Sequence, residues 1–215
     1  MLHHNIDPLV ISGFVPLTTI DYPDHLSAVV FCQGCPFRCH YCHNPSLIPR
    51  LKYGKYSWET IKAFLLDRIG LLEAVVFSGG EPTLQKGLLY AVKVVKDLGF
   101  KVGLHTAGPY PDRLKELLKF IDWVGMDIKA SFDDYVNITS IPNSGKKALQ
   151  STELILASKV EYEFRTTVHP KLLNQRQIAK IQDTLFKMGA TNHKIQQFRK
   201  EGCINQELNI PNTVS

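Results

Sequence analysis

Short apolar runs alternate along this chain with longer segments whose apolar residues recur at helical spacing. Residues 74–77 and 102–105 have the length and composition of buried strands, whereas Ile61, Leu65 and Ile69 would share one face of a helix. Helices are predicted near residues 57–69, 84–98, 147–157 and 175–188, with one more after Pro111. Strands are predicted at residues 28–31, 74–77, 102–105, 123–128, 163–168 and 195–198.

This alternation predicts an α/β fold in which parallel strands are joined by right-handed helical crossovers. Six strand–helix units are too few to close an eight-stranded barrel, so we expect a partial, open (β/α)6 barrel of the TIM type. No linker-like stretch divides the 215 residues. We therefore predict a single domain over residues 1–215, with an N-terminal extension at about 1–26 and a C-terminal tail at about 200–215.

Four of the five cysteines lie within eleven residues, at Cys32, Cys35, Cys39 and Cys42. The spacing Cys35-x3-Cys39-x2-Cys42 suits a tight loop that ligates three irons of a [4Fe–4S] cluster. The fourth iron would stay open to a small molecule, as a catalytic zinc keeps one vacant position. We therefore predict that Cys35, Cys39 and Cys42 are ligands, and that Cys32 and Cys203 are dispensable.

Other interpretations of these cysteines are weaker. Cys32-x2-Cys35 and Cys39-x2-Cys42 could form a zinc site, but only three residues separate the two pairs, and zinc knuckles need a longer spacer. A ferredoxin-like electron carrier usually has the run Cys-x2-Cys-x2-Cys-x3-Cys, which is absent here. Five thiols cannot all form disulfides, and a chain of this length does not need them. The three-ligand cluster is favoured.

A second motif, Gly79-Gly80-Glu81, follows the predicted strand at 74–77. Two glycines lack Cβ atoms and would let the backbone approach a ligand closely. The carboxylate of Glu81 could accept a charge-assisted hydrogen bond from an ammonium group. On its own, the run could equally be a strand-to-helix turn in which Thr83 caps the next helix.

Together the two motifs resemble the signature of the radical S-adenosylmethionine (SAM) enzymes. In that superfamily the amino and carboxylate groups of SAM chelate the open iron, and the Gly-Gly-Glu element holds the methionyl amino group. The resemblance implies two cofactors, one [4Fe–4S] cluster and SAM. It also implies that the reduced cluster cleaves SAM to methionine and a 5′-deoxyadenosyl radical.

The predicted strands bring further polar groups to the same rim, because the carboxyl ends of parallel strands lie at one edge of the sheet. Thr106, Asp127 and Lys129 follow the third and fourth strands, and Val168 and His169 end the fifth. We expect Lys129 to pair with the cofactor carboxylate, Thr106 or Asp127 to bind its hydroxyl or amino groups, and Val168 to contact it. Without the cysteines, Asp127 and Lys129 would be as easily explained by a local salt bridge.

A narrower resemblance rests on the run Cys39-His-Tyr-Cys42-His-Asn-Pro45 and on the segment at residues 13–23. Both are similar to the activating enzymes of glycyl radical enzymes, and most similar to the longer form of the anaerobic ribonucleoside-triphosphate reductase activating proteins. Pyruvate formate-lyase activating enzymes share the same core. The resemblance implies that Tyr41, His43 and Asn44 contact the cofactor, and that the radical abstracts hydrogen from a glycine of a partner protein.

Two departures from the family pattern matter. Pyruvate formate-lyase activating enzymes usually carry Asp-Thr-Asn-Gly on the third strand, where this chain has His105-Thr106-Ala107-Gly108. Imidazole thus replaces a carboxylate that helps bind a monovalent cation, which makes that cation site doubtful. No cysteine lies between residues 43 and 78, where many relatives insert a ferredoxin-like module. We therefore expect one cluster and no auxiliary cluster.

Composition bears mainly on partners and location. The net charge is +5, and the lysines are spread along helical segments, which favours solvated helix faces over nucleic-acid binding. No apolar run approaches a membrane span, and the first residues lack the pattern of a secretory signal. We expect a cytoplasmic protein, where thiols stay reduced. Its expected partners are a glycyl radical enzyme and an electron donor such as flavodoxin or ferredoxin.

Two other functions remain open from the sequence. One is a radical SAM enzyme that acts on a small molecule, such as a 7-carboxy-7-deazaguanine synthase. The Cys-His-Asn-Pro element argues against it. The other is a redox-sensing or electron-transfer iron–sulfur protein, which would leave the Gly-Gly-Glu and Asp-Ile-Lys elements without a purpose.

Overall fold

The computed structural model describes residues 9–209, which form one seven-stranded sheet with helices on its outer side. The strands are β1 (Ile11–Thr18), β2 (Ser27–Cys32), β3 (Ala74–Gly79), β4 (Lys101–Thr106), β5 (Trp123–Asp127), β6 (Glu161–Val168) and β7 (His193–Gln197). The helices are α1 (Trp58–Leu66), α2 (Leu88–Asp97), α3 (Pro111–Leu117), α4 (Val136–Thr139), α5 (Ser144–Ala157), α6 (Gln175–Lys187) and α7 (Gln206–Asn209).

The sheet follows chain order from β1 to β7, and β2 to β7 are all parallel. The edges of this sheet are β1 and β7, so the barrel is open. The predicted α/β fold with an open parallel sheet is confirmed, and the six predicted strands are β2 to β7. Their carboxyl ends meet at one rim, as the sequence analysis required.

Strand β1 was not predicted from the sequence; it lies in the expected N-terminal extension and pairs antiparallel with β2. Pro16 interrupts its hydrophobic pattern, but a proline is tolerated on an edge strand because its missing N–H faces no partner. The ring of Phe14 packs edge-on against that of Phe64 in α1, with 5.0 Å between centroids. β1 therefore covers the side of β2 that would otherwise be a free edge.

Two hydrophobic clusters lie on opposite faces of the sheet, because successive strand residues alternate in direction. The larger cluster packs the outer face against the helices, with Phe77 and Phe164 fully buried. The smaller one fills the barrel interior at the amino-terminal ends of the strands. It is formed by Tyr22, Val29, Ala74, Val76 and Trp123.

Local sequence explains where the helices begin and end. The side chain of Ser57 accepts a hydrogen bond from the backbone N–H of Thr60 at the start of α1, and Asn174 with Gln177 forms a capping box for α6. After α2, Gly99 adopts a φ of +90°, which is the left-handed conformation that ends helices. Within residues 9–209, no helix is long and apolar enough to cross a bilayer.

We expect Tyr22→Ala to lower the free energy of unfolding by about 3–5 kcal/mol, the range for removing a large buried aromatic ring. Tyr22 is 2% exposed and closes the amino-terminal end of the barrel against Trp123, with 5.5 Å between ring centroids. The measurement is denaturant unfolding of the protein without cofactors. Tyr53→Ala is the matched control, since Tyr53 is 83% exposed and should change stability by no more than about 0.5 kcal/mol. Equal losses in the two variants would contradict the assigned role of Tyr22.

Candidate active site

The cysteine loop leaves the carboxyl end of β2 and is fixed mainly by backbone hydrogen bonds. Gly34 N donates to Leu47 O over 2.8 Å, and Cys35 N donates to Ile48 O over 3.1 Å. The guanidinium of Arg38 donates to the carbonyls of Cys35 and Phe37. The path of the loop is thus set by hydrogen bonds within the protein.

Three of the loop's thiols lie on the wall of one cavity of about 690 Å³ at the rim of the barrel. These are Cys35, Cys39 and Cys42, each partly exposed, whereas Cys32 is fully buried in the outer core. Burial, followed by the charge of Glu81, raises the pKa of Cys35 to about 12. Iron binding at Cys35 must therefore release a proton, which higher pH favours.

The arrangement of these thiols fits a cluster better than a single metal ion. Among residues 9–209, no three cysteine, histidine or acidic side chains converge closely enough to hold one ion. A zinc site would also need Cys32, which is 0% exposed and lies outside the cavity. Three soft thiolate donors spread along one wall are the donor set that a [4Fe–4S] cluster takes.

Gly79 and Gly80 lie where the end of β3 passes directly beneath the cysteine loop. A Cβ atom on Gly80 would come within 2.5 Å of Gly34 O and 2.6 Å of Leu47 O. Gly79 has a φ of +121°, and a Cβ there would collide with the backbone of Cys32. Both glycines also line the cavity. The glycine pair is therefore required by backbone packing against the loop, in addition to any contact with a ligand.

Glu81 has a different setting from the one expected from the sequence. Its side chain is 1% exposed, and its carboxylate accepts hydrogen bonds from the N–H and hydroxyl of Thr83, the hydroxyl of Thr106 and the N–H of Ala107. Burial raises its pKa, and these donors oppose the rise. Through these hydrogen bonds the Glu81 carboxylate connects the end of β3 to the end of β4. Glu81 does not line the cavity, whereas Gly79 and Gly80 do.

Lys129 and Asp127 form the salt bridge that the sequence allowed, and both also line the cavity. Lys129 Nζ lies 3.3 Å from Asp127 Oδ2 and 5.4 Å from the centroid of the Tyr41 ring. Desolvation lowers the pKa of Lys129, but the acidic groups of Tyr41, Cys39 and Asp127 outweigh it and raise the pKa well above its ordinary value. The cavity therefore contains an ammonium group at neutral pH.

Arg165 is a cavity residue that the sequence analysis did not identify. Its Nε lies 3.8 Å from Asp127 Oδ1 and 3.9 Å from Glu163 Oε1. This Nε atom is buried and has no hydrogen-bond partner among the described residues. Gly125 leaves the space that the guanidinium occupies. One sequence signal was available: Glu163 and Arg165 are charged residues at alternate positions of β6, and alternate positions share a face of the sheet.

His105 connects the rim to the floor of the barrel. Its Nδ1 lies 3.3 Å from Ser78 Oγ, and its Nε2 lies 2.9 Å from the carbonyl oxygen of Asp21. Because a carbonyl oxygen can only accept a hydrogen bond, Nε2 must carry the proton in that contact. Burial and then the charge of Arg165 lower the pKa of His105 to about 4. The imidazole is therefore neutral at neutral pH. A neutral imidazole offers a cation less than a carboxylate would at this position.

The first part of the expected C-terminal tail, together with Phe198 and Arg199, forms a strap (residues 198–208) that packs over the cysteine loop. The ring of His43 stacks on Phe198 with 5.5 Å between centroids, and its Nε2 lies 2.7 Å from Arg199 O. Cys203 is 8% exposed, with its Sγ 3.9 Å from His40 O. The last part of the expected tail, residues 210–215, lies outside the described residues, as do residues 1–8.

Most of the predicted cofactor contacts share the cavity wall with the three thiols. Val168 and Glu81 are the exceptions; Val168 is 6% exposed and packs in the outer core. The predicted residues that line the cavity are Cys35, Cys39, Tyr41, Cys42, His43, Asn44, Gly79, Gly80, Thr106, Asp127 and Lys129. Further lining residues include Ser78, His105, Arg165, Thr167, Gln196, Gln197 and Arg199.

Residues 29–188 match the family described as the radical SAM superfamily. This chain belongs to that superfamily. It is 35% identical over 207 residues to a candidate glycyl-radical enzyme activating enzyme of Methanocaldococcus jannaschii, with 93% of this chain and 84% of the relative covered. It is 38% identical over 116 residues to the pyruvate formate-lyase-activating enzyme of Clostridium pasteurianum, which covers 51% of this chain and 48% of the relative.

A solved structure shares the fold at low sequence identity. SuiB of Streptococcus suis, solved with its precursor peptide SuiA, superposes with a TM-score of 0.65 at 12% identity, over 80% of this chain and 39% of SuiB. Members of the radical SAM superfamily use a [4Fe–4S] cluster and SAM. The three thiols and the charged groups facing them across the cavity fit both cofactors.

We expect Cys35→Ala, Cys39→Ala and Cys42→Ala each to lose the four-iron cluster after anaerobic reconstitution, because each removes one thiolate from a three-ligand set. Cys32→Ala should keep it, since that thiol is buried outside the cavity. Iron analysis and the visible spectrum measure the outcome. Loss of the cluster in Cys32→Ala, or tightly bound zinc in the native protein, would be incompatible with this ligand set.

We expect Lys129→Met to keep the cluster but to weaken SAM binding by roughly 2–5 kcal/mol, the range for removing one partner of a desolvated charged contact. Glu81→Gln should instead lower the free energy of unfolding, by about 1–3 kcal/mol, because an amide cannot satisfy all the donors that surround the carboxylate. Equilibrium binding of SAM and denaturant unfolding separate the two effects.

The exposed Glu59 provides the control, since Glu59→Gln should change neither property. Unchanged SAM affinity in Lys129→Met would mean that the carboxylate end of the cofactor lies elsewhere. Unchanged stability in Glu81→Gln would remove the structural role assigned to that carboxylate.

Proposed function

We propose that this protein activates a glycyl radical enzyme by abstracting a hydrogen atom from the Cα of one glycine, and that the partner is an anaerobic ribonucleoside-triphosphate reductase. The activating enzymes among its relatives and the Cys-His-Asn-Pro element support the class of reaction. The longer-form resemblance over residues 13–199 supports this partner.

One observation carries the proposal of a protein substrate. The cavity that holds the three thiols extends to the open side of the barrel, where its lining residues come from β6, β7 and the strap. Thr167 is half-buried, and Gln196, Gln197 and Arg199 are exposed. Amides, a hydroxyl and a guanidinium at an open edge suit the backbone of an inserted peptide loop, which presents both donors and acceptors.

The residues of this chain orient and enclose the reactants. The chemistry that the cluster and SAM supply when bound is one-electron cleavage of the S–C5′ bond, giving methionine and a 5′-deoxyadenosyl radical. Lys129 and Asp127 provide opposite charges for the amino-acid end of SAM, and Tyr41 forms the adjacent wall. The floor formed by Tyr22 and Trp123 keeps water out from below.

Glycine suits this reaction as the target. Its Cα carries no side chain that would obstruct the approach of the radical or the planar product. Bound SAM would supply the hydrogen-abstracting group and would be recovered as methionine and 5′-deoxyadenosine, and the unpaired electron would remain on the glycine Cα. We also propose that the protein is cytoplasmic and that its cluster receives an electron from an external donor such as flavodoxin or ferredoxin.

We expect the reconstituted enzyme, SAM, a reductant and the oxygen-free ribonucleotide reductase from the same cell to yield 5′-deoxyadenosine and a glycyl radical. Electron paramagnetic resonance should show a doublet, because the radical couples to its one remaining α-hydrogen. The doublet should collapse to a singlet when the partner carries α-deuterated glycine.

Two controls define the result. Cys39→Ala should give neither product, and a partner whose radical glycine is replaced by alanine should acquire no glycyl signal. Formation of 5′-deoxyadenosine only when a purine or another small metabolite is added, with no radical on the partner, would favour an enzyme acting on a small molecule.

A further inference from the structure

Four cationic side chains form an arc on the outer side of the cysteine loop. The arc consists of Arg38, Arg50, Arg113 and Lys147, and we call it the basic arc. Across residues 9–209, none of the four forms an ion pair with a carboxylate. These four charges therefore lie together beside the cysteine loop without a carboxylate to neutralise them.

The basic arc is continuous from the cluster loop to two helices. Arg38 Nη1 lies 3.0 Å from Cys35 O, and the Arg50 side chain packs against Gly34, with its Cγ 3.5 Å from the position of a Cβ there. The Tyr110 ring joins the other two: Arg113 Cζ lies 4.9 Å and Lys147 Nζ 5.8 Å from its centroid. The cations therefore border the residue that carries the first predicted cluster ligand.

The accessibility of these groups differs. Arg38, Arg50 and Lys147 are exposed, and Arg113 is half-buried and donates to the carbonyls of Thr83 and Leu84. Two carboxylates lie nearby: Asp112 is exposed at the start of α3, and Glu81 is buried beneath the loop. The solvent-facing charge remains positive, with three exposed cations against one exposed acid.

The reaction creates a need that the chain does not meet by itself. Each turnover would consume one electron, and the two cysteines of this sequence beyond the three-thiol set, Cys32 and Cys203, are buried and do not line the cavity. The electron must therefore come from outside, at the surface nearest the cysteine loop. The polar open side of the barrel is the proposed entrance for the glycine loop, so a separate face beside Cys35 allows both partners to act.

We infer that the basic arc is the docking site of a small acidic electron-carrier protein, with a low-potential flavin or iron–sulfur centre. The inference rests on the proposed function. One electron passes from the reduced centre of the carrier, which is oxidised by one electron, to the cluster at the three thiols, which is reduced by one. No bond forms or breaks in this step, and it needs no proton. Opposite charges speed encounter, and electron-transfer complexes need only a small interface.

The test is rapid-mixing measurement of cluster reduction by a reduced acidic flavodoxin, using the full chain with its reconstituted cluster. In Arg50→Glu/Lys147→Glu, the second-order rate constant should fall by about tenfold or more at low salt, as expected when electrostatic steering is reversed. The difference should shrink in about 1 M salt, where the Debye length is about 3 Å. Neither residue lines the active-site cavity.

The matched control is Lys159→Glu/Lys187→Glu, which makes the same change in net charge. Both lysines are exposed and lie beside the amino-terminal ends of the strands, at the opposite end of the barrel from the cysteine loop. Because Lys187 pairs with Asp183 over 2.7 Å, denaturant unfolding first verifies that this variant is folded. This variant should be reduced at close to the wild-type rate. An equal fall in both variants would show an effect of net charge alone and would overturn the docking site, as would a wild-type rate in the arc variant.

A small uncharged photochemical reductant separates docking from damage. With it, the arc variant should be reduced as fast as the wild type and should still generate the glycyl radical. Slow reduction of the arc variant by the small reductant would show that the substitutions damage the cluster. Loss of radical transfer alone would show that the basic arc binds the glycyl radical enzyme instead of an electron carrier. Either result overturns the inference. Failure of the docking site with intact radical transfer leaves the proposed function standing.

Discussion

The close crossing of two backbone segments determines the rest of this site. The end of β3 passes beneath the cysteine loop at Gly79 and Gly80, where no Cβ atom fits between the chains. Gly80 N donates to Cys32 O over 2.9 Å, and Glu81 N donates to Gly34 O over 2.9 Å. The parallel pairing of β2 with β3 thus continues past the ends of the strands, and it fixes the thiol loop to the sheet.

This crossing explains how two motifs separated by residues 43–78 act as one unit. The loop supplies thiols to the upper wall of the cavity, while the glycine pair supplies bare backbone to the wall beside it. Glu81 then extends the connection to β4 through Thr106 and Ala107. Three adjacent strand ends are therefore held in register by backbone contacts and by one buried carboxylate.

The sequence was sufficient for features that depend on local pattern. Apolar periodicity located β2 to β7, and cysteine spacing singled out three thiols that prove to share a cavity wall. The sequence was not sufficient for features that depend on contacts between residues far apart in the chain. Pro16 concealed β1, whose strand conformation depends on pairing with β2. The direction of the Glu81 carboxylate depends on donors 25 and 26 residues away, and Arg165 needs the space left by Gly125 on another strand.

The division into two hydrophobic clusters allows charged groups to occupy the barrel interior. Helices packed on the outer face bury most of the apolar side chains, so stability does not depend on filling the interior completely. Tyr22 and Trp123 close only the amino-terminal half of that interior. The other half holds Asp127 between Lys129 and Arg165, and desolvating each charge is tolerable because an opposite charge lies within 4 Å. An open sheet with an apolar floor and a charged rim can therefore keep a zwitterionic cofactor partly desolvated and still admit a second molecule from the side.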